Sequence, residues 1–111
     1  MSRRIEQVNE LIYRELSEII NREMEFPEGV VVSVAKVETL ADLELAKIYF
    51  TIYPKEQEEA VFKNLIKQRS HLQHLLHQRL ILKSMPKIQF LINKDDQEDV
   101  ANKVEKLLDQ I

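Results

Sequence analysis

Residues 43–53 read LELAKIYFTIY, and this stretch decides the fold because its side chains alternate as they do in a β-strand. The apolar positions are Ala46, Ile48, Phe50 and Ile52. The intervening positions are Lys47, Tyr49, Thr51 and Tyr53. We therefore expect a strand with one face against a hydrophobic core and the other face closer to water.

Two further strands are predicted from the same alternation. Residues 30–39 are rich in valine, and the short turn-forming residues around Asp42 predict that they form a hairpin with residues 43–53. Pro86 opens a third strand. In it Ile88, Phe90 and Ile92 alternate with Lys87, Gln89 and Leu91. The sequence thus predicts a three-stranded sheet with helices packed on one face.

Helices are predicted before, between and after these strands. Residues 3–23 carry an apolar stripe at helical spacing, and Pro27 with Gly29 ends that helix. Residues 55–82 form a second helical stretch. A final helix is expected from about residue 95, where an aspartate can cap its first turn. Its apolar stripe is Val100, Val104, Leu107, Leu108 and Ile111.

The second helical stretch is predicted to be broken near its middle. At about 100° per residue, Gln68 and Arg69 fall in the same sector as Leu65 and Leu72. Burying an unpaired guanidinium or amide there would be costly, and a kink at residues 68–70 would turn both side chains to water. We therefore predict two central helices that meet at a kink.

Composition limits the chain to one soluble domain over residues 1–111, because 111 residues are too few for two hydrophobic cores. Cysteine is absent, so the sequence holds no disulfide, thiolate metal ligand or cysteine nucleophile. Residues 1–6 lack the apolar run of a signal peptide, and no membrane-spanning apolar stretch follows. We expect a cytoplasmic protein that works away from membranes, as a monomer.

Charge is distributed very unevenly along the chain. The net charge of −3 conceals residues 60–94, which hold seven lysines and arginines and no carboxylate. The basic residues of this acid-free block are Lys63, Lys67, Arg69, Arg79, Lys83, Lys87 and Lys94. A solvated helix face usually mixes both signs, so the block favours contact with a polyanion such as RNA. The break at residues 68–70 would add free backbone N–H groups to such an anion site.

Sites for metals and for catalysis are poorly supported. His71, His74 and His77 could offer a pair of zinc ligands, but no carboxylate lies near them in sequence to complete the site. They fit a solvated or RNA-facing helix surface better. Gly29 is the only glycine, so there is no phosphate-binding loop, and no serine stands in a nucleophile-elbow context. We expect no enzyme activity, metal, cofactor or small-molecule substrate.

The polar face of residues 43–53 has two interpretations. Lys47 beside Tyr49 and Tyr53 is a basic and aromatic combination that can stack on nucleobases. Tyrosines are also common in strands for their packing alone, and these two would then pack under the final helix. We favour the second interpretation.

Four segments, in order, resemble the ribosome-binding factor A family over residues 1–93. The first helix begins with Arg3-Arg4-Ile5, and Phe26-Pro27-Glu28 is similar to the turn that follows it in the family. Residues 42–51, DLELAKIYFT, are the sharpest match, and residues 80–90, LILKSMPKIQF, resemble the family's segment into its last strand. The family has an Ala-x-Gly kink between its central helices, where this chain has Gln68-Arg69-Ser70.

This resemblance implies a type II KH-like α+β fold with an extra C-terminal helix, here residues 94–111. It also implies a factor that binds the small (30S) ribosomal subunit and 16S rRNA and assists late maturation and processing. Supported by the charge pattern, the expected phosphate contacts are Lys63, Lys67, Arg69, Arg79, Lys83 and Lys87, with Arg3, Arg4 and Lys47 as weaker ones. The alternative function is a protein-interaction module that docks a partner through the C-terminal helix.

Overall fold

The computed structural model describes residues 2–82 and 85–94. In chain order the elements are α1 (Ser2–Glu23), β1 (Val31–Thr39), β2 (Leu45–Tyr53), a 3-10 turn (Lys55–Gln57), α2 (Glu58–Arg79) and β3 (Lys87–Ile92). The predicted first helix and the three predicted strands are confirmed to within about two residues at each end. The predicted C-terminal helix lies outside the described residues.

The strands form one mixed sheet in the order β1-β2-β3. β1 and β2 are antiparallel, with Val31 opposite Tyr53 and Thr39 opposite Ala46. β3 runs parallel to β2. A parallel neighbour cannot be reached by a tight turn, so the chain needs a long crossover, and α2 provides it.

The hairpin between β1 and β2 closes through a compact turn. The Leu43 N–H donates to the Leu40 carbonyl at 2.8 Å, and the Leu40 N–H donates to the Leu45 carbonyl at 2.9 Å. Oδ1 of Asp42 accepts the Glu44 N–H at 3.0 Å, a local bond that explains the preference for aspartate in turns. Leu43 adopts the left-handed conformation, with φ of 62°. The hairpin predicted from the sequence is confirmed.

A β-bulge in β1 changes which of its side chains face the core. The pairing shifts between Val34 and Lys36, so Val34 lies opposite Phe50 and Lys36 lies opposite Tyr49. An extra residue in one strand, here Ala35, moves the following side chains to the other face. Lys36 therefore shares a face with Tyr49, which simple alternation along β1 would not have predicted.

Both long helices cover the same face of the sheet, as predicted. The core side chains of the sheet include Val34, Ala46, Ile48, Phe50, Ile88 and Phe90. Those of the helices include Val8, Ile12, Leu16 and Ile19 from α1 and Val61, Leu65, Leu72 and Leu76 from α2. At the centre, the rings of Phe50 and Phe90 meet edge to face, with centroids 4.9 Å apart.

The opposite face of the sheet, which we call the far face, carries more polar side chains. Its members include Lys36, Lys47, Tyr49, Thr51, Tyr53 and Lys87. The two faces predicted for residues 43–53 are therefore confirmed: the apolar set is buried, and the alternate set is half-buried or exposed. No helix in the described parts of the chain has the length and apolar character that a membrane crossing requires.

The predicted break at residues 68–70 is wrong, because α2 is one α-helix from Glu58 to Arg79. Gln68 is half-buried and Arg69 is exposed, so neither side chain enters the core. Both lie at the edge of the apolar stripe, and Nη1 of Arg69 reaches the Ile88 carbonyl at 3.4 Å. Arg69 thus finds an acceptor at the edge of the sheet while α2 stays one continuous helix.

Candidate nucleic-acid interface

The solvent side of α2 carries a row of cationic and polar side chains. Lys63, Lys67, Ser70 and His74 fall within about 60° of one another around the helix, and all four are exposed. We call them the basic stripe. The buried residues Leu65 and Leu72 lie on the other side of the helix. Packing of that apolar side against the sheet therefore fixes the direction in which the basic stripe points.

The charges of the basic stripe remain accessible to a partner. Nζ of Lys63 lies 3.3 Å from Oε1 of Glu59, one turn earlier, but both side chains are more than two-thirds exposed. An exposed pair of this kind contributes little, so an RNA phosphate can replace the carboxylate at small cost. Lys67 is exposed further along the same side of the helix.

The histidines extend this surface toward the end of α2. His71, His74 and His77 are all exposed, on the solvent side of the helix. Within residues 2–82 and 85–94, no three histidine, aspartate or glutamate side chains come together as a metal site. The three exposed imidazoles add hydrogen-bonding groups to the neighbourhood of the basic stripe.

Arg79, the last residue of α2, is turned toward α1. Its Nη2 lies 2.9 Å from Oε1 of Glu18, and its Nη1 lies 3.2 Å from Oε1 of Glu15. Nη1 also approaches the Glu15 carbonyl at 3.4 Å. Hydrogen bonding to Arg79, with the charges of Arg79 and Arg22, holds the pKa of Glu18 below its usual range. Arg79 thus joins α2 to α1. The carboxylates of Glu15 and Glu18 balance much of its positive charge.

The remaining predicted contacts are not gathered on one surface. Lys47 and Lys87 lie on the far face of the sheet, with the helices on the opposite side. Arg3 and Arg4 are exposed in the first turn of α1. Lys83 lies outside the described residues. The structure therefore places Lys63 and Lys67 together on the solvent side of α2. Arg69 lies on the side of α2 that faces β3. Lys47 and Lys87 lie on a different surface from all three.

The continuous helix also removes one predicted component of the site. Backbone N–H groups near residues 68–70 were expected to be free at the start of a second helix. Because α2 is unbroken there, those groups bond within the helix. Anion binding on α2 must therefore come from side chains.

Two features of the surface were missed from the sequence. Lys36 reaches the far face only because of the bulge, and its Nζ lies 4.6 Å from the centre of the Tyr49 ring. Ile81, just after α2, is fully exposed at 101% of its reference surface. The bulge has a signal in the sequence, because the apolar alternation in β1 changes phase from Val32 and Val34 to Val37. Ile81 has none, because an apolar residue between Leu80 and Leu82 is typical of a core position.

The sequence and the fold both match those of known proteins. A family model described as "Ribosome-binding factor A" matches residues 4–108. The chain belongs to the ribosome-binding factor A family. The match extends to residue 108, so the expectation that the resemblance ends near residue 93 is wrong, and the C-terminal segment is part of the family's pattern.

Relatives that carry the family name align along nearly the whole chain. A ribosome-binding factor A from Macrococcus caseolyticus is 32% identical over 112 residues, covering 100% of this chain and 96% of its own length. One from Akkermansia muciniphila is also 32% identical, over 96% of this chain and 86% of its own length. These relatives span the C-terminal segment as well as the sheet and helices.

Solved structures of ribosome-binding factor A share the fold. The crystal structure of the Thermus thermophilus protein has a TM-score of 0.69 at 22% identity and covers 79% of this chain and 93% of its own. A homology model of the Thermus protein, fitted into a cryo-EM map of a 30S complex, has a TM-score of 0.66 at 22% identity and covers 77% of this chain and 90% of its own. The type II KH-like α+β fold expected from the sequence is therefore confirmed.

Proposed function

We propose that this chain binds the small (30S) ribosomal subunit through 16S rRNA and assists its late maturation and processing, without catalysing a reaction. Family membership supports the general role, since the Thermus relative has been fitted into a map of a 30S complex. The observation that carries the proposal is the basic stripe, which points accessible cations at solvent in an otherwise acidic chain. A monomer without cofactor or small-molecule substrate suffices for this role.

The proposed contacts divide into a principal and a secondary group. Lys63, Lys67 and Arg69 lie on α2, so one RNA segment running along the helix can meet all three. Lys83 follows α2 in sequence and joins this group. Lys87, Lys47, Arg3 and Arg4 lie elsewhere and would require a second RNA element. Arg79, because of its two carboxylate partners, contributes mainly by holding α1 against α2.

The binding experiment uses cosedimentation of the full chain with purified small subunits. Replacing Lys63 and Lys67 by glutamate should weaken binding by at least about tenfold, because each lost charge-assisted contact removes on the order of 1.5 kcal/mol or more. The matched control replaces Lys103 and Lys106 by glutamate, which changes the net charge equally within the acidic C-terminal segment. Equal weakening by both double variants would show that only net charge matters and would contradict the proposed site.

The maturation part of the proposal needs a cellular test. Cells that depend on this chain should accumulate unprocessed small-subunit rRNA when they carry the Lys63 and Lys67 reversals, and should process it normally with the Lys103 and Lys106 reversals. Binding that is lost without any change in rRNA processing would contradict a role in maturation. Capture of a stoichiometric protein partner that survives nuclease treatment, without small-subunit RNA, would favour the protein-interaction alternative.

A further inference from the structure

The far face of the sheet leaves several large apolar side chains exposed or only half-buried. Tyr53 and Val31, which lie opposite each other at one end of β2 and β1, are 67% and 59% exposed. Tyr49 and Leu91, also a register pair, are half-buried on the same face. These two pairs lie on either side of Thr51 and Ser33, and we call the four side chains together the apolar band.

Three lysines surround this apolar band. Lys36 lies against the Tyr49 ring. Lys47 lies opposite Glu38 on β1 and opposite Gln89 on β3, and Lys87 is exposed at the start of β3. With Glu38 as the carboxylate on this part of the face, the balance of charge around the band is positive. A partner that fits the far face should therefore be apolar on one side and acidic at its margins.

The chain itself contains a segment of that chemistry. Residues 95–111, the C-terminal segment, place apolar side chains at helical spacing. They are Val100, Val104, Leu107, Leu108 and Ile111. The same segment holds six carboxylates and two lysines, a net charge of −4. Its apolar stripe and acidic margins complement the far face.

The path of the chain brings this segment to the far face. β3 ends at Ile92 beside Phe50, and the Asn93 N–H donates to the Phe50 carbonyl at 2.7 Å. The chain thus leaves the sheet close to the end where Tyr53 and Val31 are exposed. Seventeen helical residues extend about 25 Å at 1.5 Å each, and a nine-residue strand extends about 30 Å, so one helix fits along β2.

We propose that residues 95–111 form an amphipathic helix that packs on the far face of the sheet in the same molecule. Its apolar stripe covers the band formed by Val31, Tyr53, Tyr49 and Leu91, and its carboxylates lie near Lys36, Lys47 and Lys87. The far face is then closed by the chain's own segment, which leaves RNA to the α2 side and withdraws Lys47 and Lys87 from the proposed RNA contacts. This inference does not depend on the proposed ribosomal function.

The absence of native cysteine allows a direct test in the full chain, because a single engineered cysteine takes a single spin label. Ser33→Cys places a nitroxide on the far face, where Ser33 is exposed beside Thr51. His74→Cys places it on the solvent side of α2 as the matched control. The Ser33 label should broaden the backbone NMR signals of residues 95–111 strongly, and the His74 label should leave them sharp. Equal effects from both labels, or none from the Ser33 label, would overturn the proposal.

Two additional measurements identify the occupant. Replacing Leu107 and Leu108 by aspartate in the labelled chain should abolish the broadening of residues 95–111, while the signals of β2, recorded with the nitroxide reduced, stay in place. Spin-labelled chain without isotope enrichment, mixed with isotope-enriched chain without the spin label, should produce no broadening. Broadening between molecules would mean that a second copy covers the face. An RNA oligonucleotide that shifts the far-face signals, with residues 95–111 unaffected by the Ser33 label, would mean that the face binds RNA. Either result overturns the proposal.

Discussion

The side-chain amide of Gln73 pairs with the backbone around Ile88 as a neighbouring strand would. Oε1 of Gln73 accepts the Ile88 N–H at 2.8 Å, and its Nε2 donates to the Pro86 carbonyl at 2.9 Å. Alternate residues of β3 bond to β2, so the Ile88 N–H points outward from the sheet edge. Gln73 satisfies that donor and joins α2 to β3 in a fixed register.

Gln73→Leu should therefore destabilise the fold by about 1–3 kcal/mol, since a part-buried N–H and a carbonyl both lose their partner. The free energy of unfolding from urea titration measures the effect. Gln78→Leu, on the exposed side of the same helix, is the matched control and should change stability by less than about 0.5 kcal/mol. Similar losses in the two variants would show that the bonds of Gln73 contribute no special stability.

The contact between Arg79 and Glu18 predicts how stability depends on pH. Arg79 lowers the pKa of Glu18 in the folded chain, so the folded state takes up this proton less readily than the unfolded state. The resulting stabilisation is present above the usual glutamate range and is lost as the pH falls through the lowered pKa. Arg79→Gln should lower the unfolding free energy at neutral pH, and the difference from the parent chain should shrink in acid.

The control for this pH experiment is Lys67→Gln, which removes one positive charge from an exposed site on the same helix. Its unfolding free energy should follow that of the parent chain at every pH. A difference between Arg79→Gln and the parent chain that stays constant from neutral to acid pH would contradict the assigned role of Glu18.

The sequence predicted the strands well because each face of a strand is determined by local alternation. Residues 43–53 and 87–92 show this pattern directly, and the structure has them as β2 and β3. The bulge at Ala35 shows in the sequence only as a change of phase, from apolar Val32 and Val34 to apolar Val37. It depends on pairing with β2, and its effect is to move Lys36 to the face opposite the core.

The errors in the candidate site have a common physical origin in long-range contacts. Arg69 looked unsuitable on an unbroken helix because its acceptor, the Ile88 carbonyl, belongs to β3, well beyond α2 in sequence. Arg79 looked like one more cation of the acid-free block, and its partner Glu15 is 64 residues away in sequence. Lys63 and Lys67 needed no such long-range information, because their solvent exposure on α2 follows from the position of its apolar side.

Salt dependence separates the roles of Lys67 and Arg79. Each lysine or arginine that neutralises a phosphate releases condensed counterions, which contributes roughly −0.7 to the log–log slope of affinity against salt on single-stranded RNA. Lys67→Gln should therefore make the slope shallower by about that amount. Arg79→Gln removes the same formal charge, yet its guanidinium is held by Glu15 and Glu18, so the slope should stay near the parent value. Titrations at several salt concentrations measure both slopes. An equal change in the two variants would mean that Arg79 leaves its carboxylates to bind RNA, or that net charge alone determines binding.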